Sequence, residues 1–157
     1  MRGRFDIRPR SAFAEDALLL LARIFLALPF AIFGPMKYFN MAKMQGYIET
    51  AGLPGELIWL VIPLQTLGAL SIVLGLFARG GAVTLGVFSL VATCLYHTHW
   101  EKSGELSQFT KDFAMAGGFI FLWINGPGRL SLDAALRRVP LGRRDAPPAA
   151  AGSALEA

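Results

Sequence analysis

The sequence predicts an all-α fold, a four-transmembrane-helix antiparallel bundle with an amphipathic outer loop and a short C-terminal interfacial segment. Three observations lead there. Apolar residues form 54% of the 157 positions and charged residues only 17%, well below the roughly 25% of an ordinary soluble domain. The charge is also segregated: residues 17–34, 57–78, 80–99 and 113–124 hold no Asp, Glu or Lys and no Arg except Arg23. Each run approaches the ~20 residues that a helix needs to cross ~30 Å of hydrocarbon, the last one only when Thr110, Lys111 and Asp112 are counted with it. At this length the chain is one domain, divided into a basic cytoplasmic tail over 1–15, the membrane domain over 16–139 and a second cytoplasmic tail over 140–157.

Ser11 is placed to cap the first helix, expected over about 15–34. Arginines precede that run as they would in a secretory signal. No small-residue cleavage site follows, however, and the run closes on Gly34-Pro35-Met36-Lys37, so it reads as a retained span. Pro29 removes a backbone donor within it and frees the carbonyl of Phe25. Residues 35–55 form the amphipathic outer loop, which lies along the membrane surface until Pro54-Gly55 turns it inward. The second helix, about 56–77, carries Pro63, which frees the carbonyl of Trp59. Ala78-Arg79-Gly80-Gly81 is too short to hold anything but antiparallel neighbours together, and the third helix follows over about 82–100. A polar loop over 101–109 leads to the fourth helix, about 110–125, which ends at Asn125-Gly126-Pro127-Gly128. Ser131 to Val139 is short, basic and amphipathic, and the Pro-, Ala- and Gly-rich tail beyond it is expected to be disordered. Tyr38, Trp59, Tyr96 and Trp100 fall where an aromatic belt anchors the outer interface.

Orientation follows from the placement of lysine and arginine. With the N-terminus inside, the inner segments hold Arg2, Arg4, Arg8, Arg10, Arg79, Arg129, Arg137, Arg138, Arg143 and Arg144, while the outer loops hold Lys37, Lys43, Lys102 and Lys111. Both termini are therefore expected in the cytoplasm. Anionic headgroups account for the basic flanks, so the net charge of +4 calls for no nucleic-acid partner. The lone cysteine, Cys94, excludes an internal disulfide or a dithiol redox pair.

Buried faces can be read from small and polar residues at helical spacing, since helices in lipid associate through them. The third helix shows Ala82, Gly86, Ser89, Thr93 and His97; the first, Arg23, Ala27, Ala31 and Gly34; the second, Val61, Gln65, Gly68, Ile72 and Gly75. In the fourth, Ala114, Gly117 and Gly118 allow close packing, and Asp112 near its start suits the helix dipole. The only two histidines stand in "LYHTHWE". His99 lies roughly 200° around a helix from His97, so His97 faces the bundle, His99 faces away, and the two do not form a metal site. Arg23 is expected either to find a polar partner in the bundle or to reach the inner interface. Lys37, Gln65, His97, Lys111 and Asp112 all fall in the outer half, which implies an outward-opening polar pocket. A histidine beside a carboxylate and a lysine can handle protons, and the same groups can equally be a hydrogen-bond network joining four helices.

Five pieces together resemble the DoxX family of small bacterial membrane proteins: "LARIFLALPFAIFGPMKYF", "AGLPG", "GLFARGGAVTLGVFSLVATCLYH", "KDFAMAGGFIFLW" and "NGPGRLSLDAAL". The resemblance spans about residues 17–135 and rests on the order and spacing of the pieces. Arg23, Lys37, His97 and Lys111 match positions that recur in the family pattern. Two positions depart from it: Gln65 stands where a glutamate is usual, and Asp112 follows Lys111 where Lys-Asn is common. One carboxylate lost and another gained read as a compensating exchange. The resemblance implies a multi-pass protein of the bacterial inner membrane that serves as the membrane subunit of a redox system, with a pocket for a quinone or another small hydrophobic molecule and no self-contained catalytic motif. A non-enzymatic anchor or assembly factor for a soluble oxidoreductase partner is the alternative. A small transporter is a weaker third reading, since four helices without an internal repeat leave little for alternating access unless the chain forms a homo-oligomer.

Overall fold

The computed structural model describes residues 11–138, so the expected tail over 140–157 and all but residues 11–15 of the N-terminal tail lie outside the described residues. Among the described residues the secondary structure is helical, with no strand. The helices are α1 (Ala12–Met36), α2 (Met41–Glu49), α3 (Ile58–Leu74), α4 (Ala78–Tyr96), α5 (Glu105–Asn125) and α6 (Leu132–Arg138), with 3₁₀ turns at Lys37–Asn40 and Gly55–Leu57. Ser11 caps α1, its hydroxyl accepting from the Ala14 amide at 3.1 Å. Among these residues, three stretches are long and apolar enough to cross a membrane: Ala12–Glu49, Gly55–Leu74 and Ala78–Tyr96. α5 is 21 residues long, but its N-terminal third carries Glu105, Lys111 and Asp112 and keeps it out of that set.

α3 packs against both α1 and α4; α5 packs on α4 and touches α1. The shared core is Ala27, Phe30, Ala69, Ile72, Ala82, Leu85, Phe119 and Leu122. Two glycines set how closely the helices approach. A methyl group at Gly68 would lie 2.9 Å from the Leu85 side chain, and one at Gly86 would lie 3.2 Å from Phe119 Cβ. Such close fits replace the hydrophobic drive that lipid cannot supply. The outward faces carry Phe25, Leu67, Val87 and Phe121, all more than half exposed, as lipid-facing surfaces require.

Two buried faces differ from the expected stripes. α1 buries Arg23, Ala27, Phe30 and Gly34, while Ala31 is exposed. Consecutive steps of four drift about 40° each around the helix, whereas alternating four and three hold one face. α5 buries Ala116, Phe119 and Leu122; Ala114 is exposed and Gly117 meets nothing within 4 Å. A large residue set the interface there: Phe119 packs 5.7 Å from the Phe30 ring.

Helix ends also move. α3 stops at Gly75, which adopts φ +68, so the α3–α4 turn is Gly75–Phe77 rather than residues 78–81. Gly80 and Gly81 lie inside α4. At the end of α3, Ile72 O accepts from the Gly75 amide at 3.2 Å and also from Arg23, which is 2% exposed. Its Nη1 donates to Ile72 O at 3.5 Å and its Nη2 to Leu130 O. The Asp133 amide donates to Gly75 O at 3.0 Å, which docks α6 against the same turn.

Candidate functional site

At the opposite end, a cavity of about 440 Å³ opens between α1, α2, α3, α4 and α5. Its volume falls within the ~300–1,000 Å³ of small-molecule sites. Phe30, Phe33, Leu64, Phe88 and Met115 supply apolar wall. α2 forms the roof because its sequence is amphipathic: Met44 and Ile48 turn inward while Lys43 and Glu49 face out. Tyr47 fastens it by stacking on Tyr96 of α4, with ring centroids 4.5 Å apart and planes 22° apart. The Tyr96 hydroxyl also donates to Ile48 O at 3.5 Å.

Four of the expected polar residues line this cavity: Lys37, Gln65, His97 and Asp112. Lys37 begins the 3₁₀ turn that follows α1, where the helix end leaves carbonyls without amide partners. Its Nζ donates to Phe33 O at 3.2 Å and to Gln65 Oε1 at 2.8 Å. Gln65 is buried on α3, at 5% exposure, and its amide oxygen is met by a side chain from the turn after α1.

The histidines part company for a reason other than helical rotation. α4 ends at Tyr96, and His97 is its C-cap with φ −117 and ψ 38, so neither histidine lies on the helix. His97 Nδ1 is 2.9 Å from Glu105 Oε2, a partner in the first turn of α5. His99 is 64% exposed, with Nδ1 3.4 Å from Glu101 Oε1, and it does not line the cavity. Two further expected residues lie elsewhere. Arg23 is at the far end, on the carbonyls of α3 and Leu130. Lys111 is exposed, because it sits about 100° around α5 from Asp112.

The DoxX family profile matches residues 18–98, a window running from α1 to just past the end of α4. The chain is 35% identical over 124 residues to the inner membrane protein YqjF of Escherichia coli K12, covering 79% of this chain and 95% of that protein. It is 34% identical over 127 residues to the inner membrane protein YphA of the same organism, covering 76% and 91%. The chain belongs to the DoxX family. No solved structure matches it.

In this DoxX-family integral membrane protein the matched window contains Arg23, Lys37, Gln65 and His97 and leaves Lys111 and Asp112 outside. Sequence reasoning missed Glu105, Tyr47 and Tyr96 as site residues. Glu105, Gln108, Asp112 and Met115 recur at spacings of three, four and three, one face of a helix. That stripe is hidden when α5 is started at residue 110. Gly104, at φ +91, marks the true start. The two tyrosines are 49 positions apart, and no local pattern joins them.

Chemically, the cavity offers a mostly apolar wall with a few polar groups, Lys37, Gln65, His97 and Asp112, on it. It suits a molecule with an apolar body and a small hydrogen-bonding head. Lys37 and the Gln65 amide are donors to such a head. Asp112 and the His97–Glu105 pair can exchange protons with it.

Proposed function

We propose that this DoxX-family protein is the membrane subunit of a redox system and that its cavity binds a quinone or a similar small hydrophobic molecule. The observation that carries this reading is the cavity itself: about 440 Å³, mostly apolar, and in contact with Lys37, Gln65, His97 and Asp112 together. A quinone head presents two carbonyl acceptors, which Lys37 and the free amide hydrogens of Gln65 complement. Replacing the usual family glutamate by Gln65 leaves a hydrogen-bonding wall without a charge facing Lys37, and Asp112 supplies a carboxylate across the same cavity.

In this reading α1, α3, α4 and α5 are four antiparallel spans of the bacterial inner membrane, and residues 16–139 are the membrane domain. The apolar part of α5 follows Asp112, so its polar first third stands level with Lys37 and His97 at the interface. Lysine and arginine bias puts both termini in the cytoplasm and the cavity on the outer side. Reporter fusions at residue 157 and within residues 101–109 test that orientation: activity of a periplasmic reporter at residue 157 would reverse it.

Ligand binding is tested by thermal unfolding in mild detergent with and without a short-chain quinone. Saturating ligand raises stability by RT ln(1 + [L]/Kd), about 2.7 kcal/mol at a hundredfold excess over Kd. The parent protein is expected to shift upward, and Gln65→Leu to lose the shift. An unshifted parent, with lowered melting in both Gln65→Leu and His97→Ala, would leave these residues as a packing network and favour the anchor reading.

A further inference from the structure

We propose that the Arg23 end holds a second site, one that binds a phosphate group carried by an anionic phospholipid or free in solution. A pocket of about 430 Å³ lies there between the start of α4, the loop after α5, and α6, with Arg79 and Arg137 in its lining. The inference does not depend on what the cavity at the other end binds.

The charge in this pocket is unbalanced. Asp133 is the one acid in its lining, and its carboxylate accepts from the Phe77 amide at 3.2 Å. Its backbone donates to Gly75 O at 3.0 Å, so Asp133 holds the pocket wall together. Among the described residues, no ion pair involves Arg79 or Arg137. Arg79 has one long hydrogen bond there, from Nη2 to Ile124 O at 3.4 Å, which leaves most of its five donors open. Two guanidinium groups lining one concavity repel each other unless an anion stands between them. The planar fork of each matches phosphate oxygens.

The pocket is also shaped around Arg79. Gly126 has φ +79, and a methyl group there would lie 3.2 Å from both Nε and Nη2 of Arg79. The guanidinium therefore lies against bare backbone. At the rim, Phe77 takes φ 52, a left-handed conformation that a phenylalanine rarely adopts, and its ring is 77% exposed. Ile124, whose carbonyl accepts from Arg79, is a second outward apolar side chain next to this pocket, 64% exposed. A basic pocket bordered by outward apolar side chains places a phosphate head beside acyl chains, the arrangement of a headgroup site at a membrane surface.

The test uses the full chain in a neutral detergent, titrated with phosphatidylglycerol, with phosphatidylcholine and with inorganic phosphate. Phosphatidylglycerol should bind the parent, and Arg79→Gln combined with Arg137→Gln should weaken it by about tenfold or more. Lys43→Gln, which removes a charge at the far end, should leave affinity unchanged. Competition by inorganic phosphate would assign the site to the free anion; its failure to compete would assign the site to the lipid. Either result supports a phosphate site. Phosphatidylcholine binding as tightly as phosphatidylglycerol, or a double variant within about twofold of the parent, overturns it. A photoactivatable phosphatidylglycerol on the unmodified protein gives an independent reading. Cross-links should fall in residues 77–80 and 125–137, and cross-links confined to other segments would also overturn the proposal.

Discussion

The two ends of this helical protein treat buried polar groups in opposite ways. At the Arg23 end most are tied to backbone: Arg23 meets the carbonyls of Ile72 and Leu130 through its two terminal nitrogens, with its buried Nε left unpartnered, and Asp133 joins α6 to the α3–α4 turn through two backbone groups. At the cavity end, Lys37, Gln65, His97 and Asp112 stand on the wall of an open volume, and only two of their mutual or nearby side-chain contacts are closed, Lys37 to Gln65 and His97 to Glu105. In an apolar surrounding an unpaired polar group is expensive. The Arg23 end spends its polar groups mainly on backbone carbonyls and amides of neighbouring elements, whereas the cavity end presents them to an open volume, which separates polar residues that hold the helices from polar residues available to a ligand.

The strongest way to break that distinction is Arg23→Leu. It strips a charged donor from one buried and one part-buried carbonyl, and hydrogen bonds to charged groups contribute roughly 1.5–3 kcal/mol each. A loss of about 3 kcal/mol in denaturant unfolding is expected, with or without quinone. Equal loss from Lys37→Leu would show the two ends to be alike.

Gly75→Ala should come next. It places a side chain at φ +68 and drives its Cβ into Arg23 and Ser131. Gly52→Ala is the control, since φ there is +73 but nothing lies within 4 Å. Backbone strain of this kind costs roughly 1–3 kcal/mol, so Gly75→Ala should exceed Gly52→Ala by the clash alone. Matching losses in chemical denaturation would mean that the turn and Arg23 are not tightly fitted.

Gln65→Leu sharpens the comparison from the other side. An interhelical hydrogen bond in a membrane contributes about 0.6 kcal/mol on average, so melting of the unliganded protein should fall only slightly, while the quinone-induced shift disappears. A large fall in melting with the shift retained would move Gln65 into the structural class.

The smallest effect is expected from His99→Ala, because this residue is 64% exposed and outside the cavity. Its melting should stay within about 0.5 kcal/mol of the parent, with ligand binding intact. His97→Ala, tested beside it, should lose more, since Glu105 is left without its partner at 2.9 Å.

Much of this contrast was legible before any coordinates. Of the stripe Val61, Gln65, Gly68, Ile72 and Gly75, all but the half-buried Val61 are buried along α3 and its C-cap, because a period of 3.6 maps local sequence onto one face. Depth along the expected spans groups Lys37, Gln65, His97, Lys111 and Asp112, and all of these except Lys111 line the cavity. Depth is a count of residues at about 1.5 Å each, so it survives small errors in helix ends. Rotation does not survive them. Ala31 is expected inside and lies outside, and on α5 Gly118 packs close to Leu26 as expected while Ala114 and Gly117 turn outward, because one residue of error turns a side chain by about 100°. Glu105 and Tyr47 are invisible as site residues because their partners, His97 and Tyr96, lie on other segments of the chain.

By itself the sequence determined that the chain is helical, that its apolar runs are long enough for a membrane, and which residues of α3 and α4 turn inward. These properties are local: each depends on composition and spacing within one run. Only the tertiary structure decided which polar groups meet. Lys37 reaches Gln65 across 28 positions, and Arg23 reaches Leu130 across 107. Such pairings depend on how far each helix slides and rotates against its neighbours. In lipid those quantities are set by close contacts such as Gly68 on Leu85 and Gly86 on Phe119, which exist only once the helices have packed.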